Sequence, residues 1–199
     1  MMMNAWIYEV VQCVAGSRRI RAHLAPHLGR LSGQRVLDIG AGTGLYTRAI
    51  GDVSRYVALD TDVRRLDVLA RKYPDAETVA ADARRLPFSD DTFDAALCIF
   101  VAHHFDDHDF AQLLSEASRV SSALILLDPL ATDRTQGRLL WRIDRGSYPR
   151  TESGILSEIE QWFGDLTVER FTIRHDYLLC IGHRKLRPES VFPAPGRDA

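Results

Sequence analysis

The chain has 199 residues, 46% of them hydrophobic, which is enough for one well-packed domain and too few for two ordinary ones. Its formal charge of −2 and the scatter of 23 arginines and 2 lysines among the acids leave no basic field for a phosphate backbone, which argues against a nucleic-acid partner. No apolar run reaches the length of a membrane span, which argues against a membrane partner.

The N-terminal MMMNAWIYEVV carries Glu9 and lacks both a basic leader and a small-residue cleavage site, so no secretory signal is read there. Trp6, Ile7, Val10, Val11 and Val14 repeat at helical spacing, and a second helical stretch runs from Arg18 to Leu28 before the turn at Ser32-Gly33. The period then changes. RVLDI (35–39) reads as a buried strand, followed by the glycine loop GAGTGL and a helix through about Ile50. YVALD (56–60) is a strand, Val63 to Lys72 a helix, and ETVAA (77–81) the next strand. FDAALCIF (93–100) is a fourth. Asp106 or Asp107 caps a helix whose stripe is Phe110, Leu113, Leu114, Ala117 and Val120. ALILLD (123–128) is a fifth strand, ending at Pro129. Apolar strands separated by helices predict a parallel sheet covered on both faces, a doubly wound α/β domain.

Beyond Pro129 the pattern alters. Residues 131–163 hold two helical pieces, Gln136 to Asp144 and Ser153 to Phe163, around the irregular RGSYPRT (145–151). LTVERFTI (166–173) and YLLCIGH (177–183) follow each other too closely for a parallel crossover, so they predict an antiparallel hairpin. The tail from Pro188 is proline-rich and reads as loose. The expected organisation is one domain over 1–187, with N-terminal helices over 1–30, a substrate-covering insertion over 131–163 and a flexible tail over 188–199. Cys13, Cys98 and Cys180 lie far apart in apolar surroundings and read as buried free thiols in a reducing compartment. A cytoplasmic, soluble protein follows.

The glycine loop poses the functional question. A dinucleotide fingerprint needs a small third residue where this sequence has Leu45, because that residue lets the helix pack beneath a pyrophosphate. Here Gly40 and Gly42 fit, and the third glycine falls one place early, at Gly44. Such a loop still brings bare backbone against a ligand. Asp60 ends the second strand, where a carboxylate accepts ribose hydroxyls, as it would in a dehydrogenase as well. Asp82 follows the third strand, at a height suited to an adenine amino group, and Asp38 lies under the loop near the place of a ligand ammonium. Three carboxylates and no fixed cation describe a pocket for a positively charged nucleoside.

VLDIGAGTG, Asp60, the Ala81-Asp82-Ala83 step with LPFSDDTFD and the closing hairpin resemble the class I S-adenosylmethionine-dependent methyltransferases. The likeness spans about residues 30–183 and is nearest to the small-molecule branch typified by quinone-biosynthesis enzymes. It implies a Rossmann-like, seven-stranded sheet in the order 3-2-1-4-5-7-6 with strand 7 antiparallel and helices on both faces. It also implies S-adenosylmethionine across the C-terminal edges of strands 1 to 4. Asp38, Gly40, Ala41, Gly42 and Gly44 would hold its methionine end, Asp60 and Thr61 the ribose, Asp82 with Ala83 the adenine, and Phe100 would lie beside the methionyl group.

Methyl transfer from a sulfonium is an in-line displacement of an already activated group, so the protein mainly aligns the acceptor and excludes water. The stretch after the fourth strand, CIFVAHHF, lacks the Asp/Asn-Pro-Pro-aromatic step of amino-directed enzymes. The chain also lacks the Pro-Cys nucleophile of cytosine-C5 enzymes, and a small-molecule acceptor is expected. His103 and His104, with ordinary pKa about 6.5, suit a general base; His104 is preferred, and a purely structural pair is the alternative. Asp106, Asp107 and Asp109 read as helix caps and no metal is expected, a metal site at His103, His104 and His108 being the alternative. Arg145, Tyr148 and Arg150 concentrate in a loop that would touch the acceptor, where Arg145 or Arg150 suits a carboxylate; a surface salt-bridge network is the alternative. Tyr8 on the N-terminal helix is a further candidate for acceptor contact. The competing functions are a binding or interaction module that keeps the fold without transfer chemistry, and a nicotinamide-dependent oxidoreductase, which Leu45 and Asp82 disfavour.

Overall fold

The computed structural model describes residues 17–131, 148–173 and 175–185. The N-terminal helix with Tyr8, Cys13, the helical piece Gln136 to Asp144, Arg145 and the tail from Pro188 lie outside the described residues.

A helix, α1 (Ser17–Leu28), leads into β1 (Arg35–Ile39) and β2 (Arg55–Asp60), then α2 (Val63–Lys72), β3 (Glu77–Ala80) and β4 (Ala95–Ile99). α3 (Asp107–Val120), β5 (Ala123–Pro129), α4 (Glu152–Trp162), β6 (Phe163–Thr172) and β7 (Asp176–Arg184) complete it. The seven strands form one sheet in the order β3-β2-β1-β4-β5-β7-β6. β1 to β5 are mutually parallel, and β7 runs antiparallel to both of its neighbours. This is the expected order.

Alternation along the strands builds two apolar layers. Val36, Ala58, Leu97, Ile99, Ile125 and Leu127 pack with Ile20, Leu24 and Leu28 of α1 and with Leu66 and Leu69 of α2. Leu37, Leu59, Ala96, Cys98 and Leu126 pack on the other side with Phe110, Leu113 and Leu114 of α3 and with Ile155 and Ile159 of α4. Both described cysteines, Cys98 and Cys180, are free and buried. Ile39 pairs with both Leu59 and Cys98, Ile99 with Leu127, and Pro129 with Tyr177. That register brings the ends of β1, β2, β4 and β5 and the tip of the β6–β7 hairpin to one edge of the sheet.

Several local expectations change. No α-helix follows the glycine loop; only a 3-10 turn, Thr47–Ala49, forms there, and Ile50 is extended at ψ 131°. Gly40, Gly42 and Gly44 take φ of 71°, 57° and 76°, left-handed values that a right-handed helix cannot absorb. The third strand stops at Ala80, and Phe93 makes only an isolated bridge to Ser121 ahead of β4. β6 begins at Phe163, earlier than its hydrophobic pattern suggests, because pairing with Arg184 and His183 extends it through a bulge between Gly164 and Thr167.

Candidate active site at the C-terminal edge

The strand-to-turn junction after β1 depends on glycine for space as well as for φ. A Cβ on Gly40 would lie 2.4 Å from a Val101 methyl, so the turn packs directly on the segment after β4. Gly40 and Ala41 donate their N–H groups to the Leu59 carbonyl at 2.7 and 3.0 Å. Asp60 completes the tie: its carboxylate accepts from Gly42 N at 3.0 Å and Asp62 N at 2.9 Å. One buried carboxylate thus holds the loops after β1 and β2 together. Thr61 beside it is exposed.

Alternation places Asp38, Tyr56 and Asp60 on the same face of the sheet. Asp38 is 5% exposed. It accepts the Tyr56 hydroxyl at 2.6 Å, and that hydroxyl lies 2.9 Å from Thr47 Oγ1. Burial pushes the Asp38 carboxyl up to about 7, opposed by the Tyr56 hydrogen bond and helped by the negative charge of Asp60. Burial and the neighbouring Asp38 raise the Tyr56 phenol well above its ordinary value.

The expectation of a pocket without fixed cations is corrected. Lys72 Nζ reaches the Thr43 carbonyl at 3.4 Å, and Arg84 grips Asp82 through Nε and a terminal nitrogen at 3.0 and 2.6 Å. The Arg84 hydrogen bonds hold Asp82 below the usual carboxylate range. Arg84 also donates to Asp109 at 2.8 Å, which ties the loop after β3 to α3. Ala83, next to Asp82, is buried. Phe100 has φ 60°, and its ring sits 5.7 Å from that of Tyr46 and 5.8 Å from that of Tyr177.

Past Phe100 the chain makes a 3-10 turn, Ala102–His104. The two histidines differ sharply. His103 is buried, and its Nδ1 lies 2.8 Å from Asp128 Oδ1, a carboxylate that is itself 2% exposed at the end of β5. His104 is exposed and stays within 4.2 Å of the His103 ring. The ring seen beside the Asp128 carboxylate is His103, whereas His104, the preferred candidate, is the exposed one of the pair. Asp106 caps α3 by accepting from Asp109 N at 2.8 Å.

Arg150, expected to pair with an acceptor carboxylate or in a surface salt bridge, does pair with an exposed acid and also binds main-chain carbonyls. Its Nε donates to Asp107 at 2.9 Å, and its terminal nitrogens donate to the carbonyls of Ala102 and Phe105 at 2.9 and 2.7 Å. The guanidinium also stacks 4.5 Å above the Phe110 ring. With its donors spent on the histidine turn, Arg150 is a strut. Tyr148 N donates to the His103 carbonyl at 3.2 Å, while the Tyr148 side chain is exposed. Sequence reasoning missed Tyr56, Arg84 and Asp128; the one available signal was an acid closing the apolar run ALILLD.

A family model described as a methyltransferase domain matches residues 36–123. The chain is 38% identical over 106 residues to the demethylmenaquinone methyltransferase of Renibacterium salmoninarum, a match that covers 53% of this chain and 44% of that protein. The chain therefore spans about half the length of the curated relatives it matches. Among solved structures, a SAM-dependent methyltransferase of Thermotoga maritima superposes with a TM-score of 0.69 at 16% identity, covering 89% of this chain and 94% of that one. The magnesium protoporphyrin IX methyltransferase of Synechocystis, solved with bound SAH, gives 0.66 at 16% identity, covering 93% and 90%. Such low identities speak to the fold alone. The match to a methyltransferase domain over residues 36–123 thus sits on a glycine turn and a sheet order of the Rossmann-like fold that solved methyltransferases share.

Proposed function

We propose that this protein transfers a methyl group from S-adenosylmethionine to an O, N or C atom of a small-molecule acceptor. The observation that carries the reading is the turn of three left-handed glycines at the end of β1, tied through Gly42 N to Asp60. The donor set fits the cofactor: bare backbone at Gly40, Ala41, Gly42 and Gly44, where a Cβ has no room at Gly40, and carboxylates at Asp38, Asp60 and Asp82. In this reading Asp38 faces the methionine ammonium. Asp60 receives ribose hydroxyls with Thr61 alongside, on lone pairs beyond those that Gly42 and Asp62 use. Asp82 and the Ala83 N–H take the adenine, and Phe100 lies beside the methionyl chain.

When bound, S-adenosylmethionine supplies a methyl group on a positively charged sulfur, ready for displacement. The protein's own residues then align the acceptor and, where the acceptor must lose a proton, accept it. His103 suits that task. With Nδ1–H given to Asp128, its lone pair is on Nε2, and the carboxylate stabilises the imidazolium formed when the proton arrives. Arg150 and the Tyr148 N–H keep the turn carrying His103 in place. The names of the relatives favour a quinone-type ring as acceptor. The free thiols Cys98 and Cys180 support a cytoplasmic setting.

Titration calorimetry with S-adenosylhomocysteine and with NAD tests the cofactor. Binding of the first and not the second is expected, and the reverse overturns the assignment. Labelled S-adenosylmethionine incubated with a metabolite extract then yields a labelled small molecule. His103→Gln and Asp128→Asn are expected to slow that labelling about 10²-fold or more while leaving cofactor affinity intact. Unchanged rates would remove His103 from the reaction.

A further inference from the structure

Beneath the glycine turn, three side chains from separate elements meet in a row: Thr47 from the 3-10 turn, Tyr56 from β2 and Asp38 from β1. Tyr56 gives its only hydroxyl proton to Asp38 at 2.6 Å, so the Thr47 hydroxyl, 2.9 Å away, must donate to the Tyr56 oxygen. Each donation strengthens the next. Tyr56 is 9% exposed and Asp38 5% exposed, so water does little to solvate the carboxylate and this row supplies its hydrogen bond.

We propose that Tyr56, backed by Thr47, is a positioning residue that keeps Asp38 ionised and aimed at the ammonium group of the cofactor's amino-acid end, and so sets the pH range over which the cofactor binds. The inference rests on the functional reading above and names one more of its working parts. An ammonium requires the ionised carboxylate, whereas a protonated Asp38 offers it only a neutral partner. Burial raises the Asp38 carboxyl to about 7, and the Tyr56 hydrogen bond is the force pulling it back down. The other groups around Asp38 work against ionisation or leave it unchanged. Asp60, on the same face of β2, adds negative charge. The Cys98 thiol on β4 is pushed well above its ordinary value, chiefly by burial, and stays neutral. Tyr73, just beyond α2, touches this row only through the electrostatics of Tyr56. Lys72 is directed to the Thr43 carbonyl.

The test is calorimetric titration of the full-length protein with S-adenosylhomocysteine between pH 5.5 and 8, in parallel with 5′-methylthioadenosine, which lacks the amino-acid end. For the unmodified protein, S-adenosylhomocysteine affinity is expected to fall as pH drops below about 7, approaching tenfold per pH unit. In Tyr56→Phe the break moves up by on the order of one pH unit, so affinity at pH 7 drops about fivefold. Thr47→Val gives a smaller shift in the same direction, which supplies a second reading should Tyr56→Phe fold poorly. Affinity for 5′-methylthioadenosine stays flat with pH in all three proteins, and it would register any titration of His103 or His104 equally. A Tyr56→Phe profile with the unmodified break, or equal pH dependence for both ligands, overturns the inference while the functional reading stands. Failure of the unmodified protein to bind S-adenosylhomocysteine at any pH sinks the functional reading itself.

Discussion

Asp38 is a carboxylate held where a carboxylate is costly. Its folded-state pKa, about 7, lies above the ordinary value of 3.8, so the folded protein binds this proton more tightly than the unfolded chain does. The stability this gives is complete at low pH and is lost as pH rises through about 7. Above neutrality the ligand-free protein therefore carries a buried charge that the Tyr56 hydrogen bond offsets only in part. Asp38→Asn, which keeps the shape and can still accept the Tyr56 hydroxyl, is expected to raise stability at pH 8 by on the order of 1 kcal/mol, or about 2–4 °C in Tm. At pH 5 the gain disappears, and S-adenosylhomocysteine binding is lost at both. A Tm gain equal at pH 5 and pH 8 would show that ionisation of Asp38 is not the cause. Asp82, Asp94 and Glu116 behave oppositely: arginine hydrogen bonds hold each below its ordinary range, so what they contribute is lost as pH falls. Asp38 and Asp60 were legible in the sequence because each is an acid at the end of an apolar strand. Tyr56 carries no such mark, and Asp128, which also closes an apolar run, gives no sign of its pairing with His103, 25 residues away.

Two elements are shaped by what they must hold. The segment after β1 has the residues of a helix start, but its glycines are committed to left-handed φ, and the chain turns back to bond Gly42 N to Asp60. The histidine turn after β4 is too short to hold itself, and Arg150 reaches across from the start of α4 to bind two of its carbonyls. Arg150 is 8% exposed, so replacing it removes the donor to the Phe105 carbonyl and leaves the Ala102 carbonyl with the Phe105 N–H. Arg150→Met is expected to cost about 2–4 kcal/mol, a fall of about 5–15 °C in Tm measured without any ligand. An unchanged Tm combined with a raised KM for the acceptor would return Arg150 to substrate binding. The arginine's presence in the loop was readable; its use as a strut was not, because hydrogen bonds to main-chain carbonyls leave no mark on residue type.

At the scale of the whole molecule, the sheet has apolar layers on both faces, and its buried acids Asp38, Asp60 and Asp128 lie toward the C-terminal ends of β1, β2 and β5. Folding and ligand binding are therefore linked: a ligand that bridges the loops after β1, β2 and β3 is lost when the sheet opens. S-adenosylhomocysteine at 100 times its Kd is expected to stabilise the protein by about 2.7 kcal/mol, raising Tm by about 5–10 °C. A Tm that does not respond, with binding established by calorimetry, would mean that the ligand binds the unfolded chain as well.

Sequence alone determined the alternation of strands and helices, the covering of the sheet on both faces, the bare turn at Gly40 to Gly44 and the acids that flank it. These follow from periods of two and 3.6 residues and from the backbone freedom of glycine, all of which act within a few neighbours along the chain. The seven-stranded order came with the family likeness, and the strand register bears it out. Only the tertiary structure decided that Tyr56 bonds to Asp38, that Asp128 meets His103, and that Arg150 braces the turn carrying the histidines. Those pairings join segments up to 48 residues apart. They are set by which strands lie side by side and at what height, a property of the assembled sheet that no local pattern encodes.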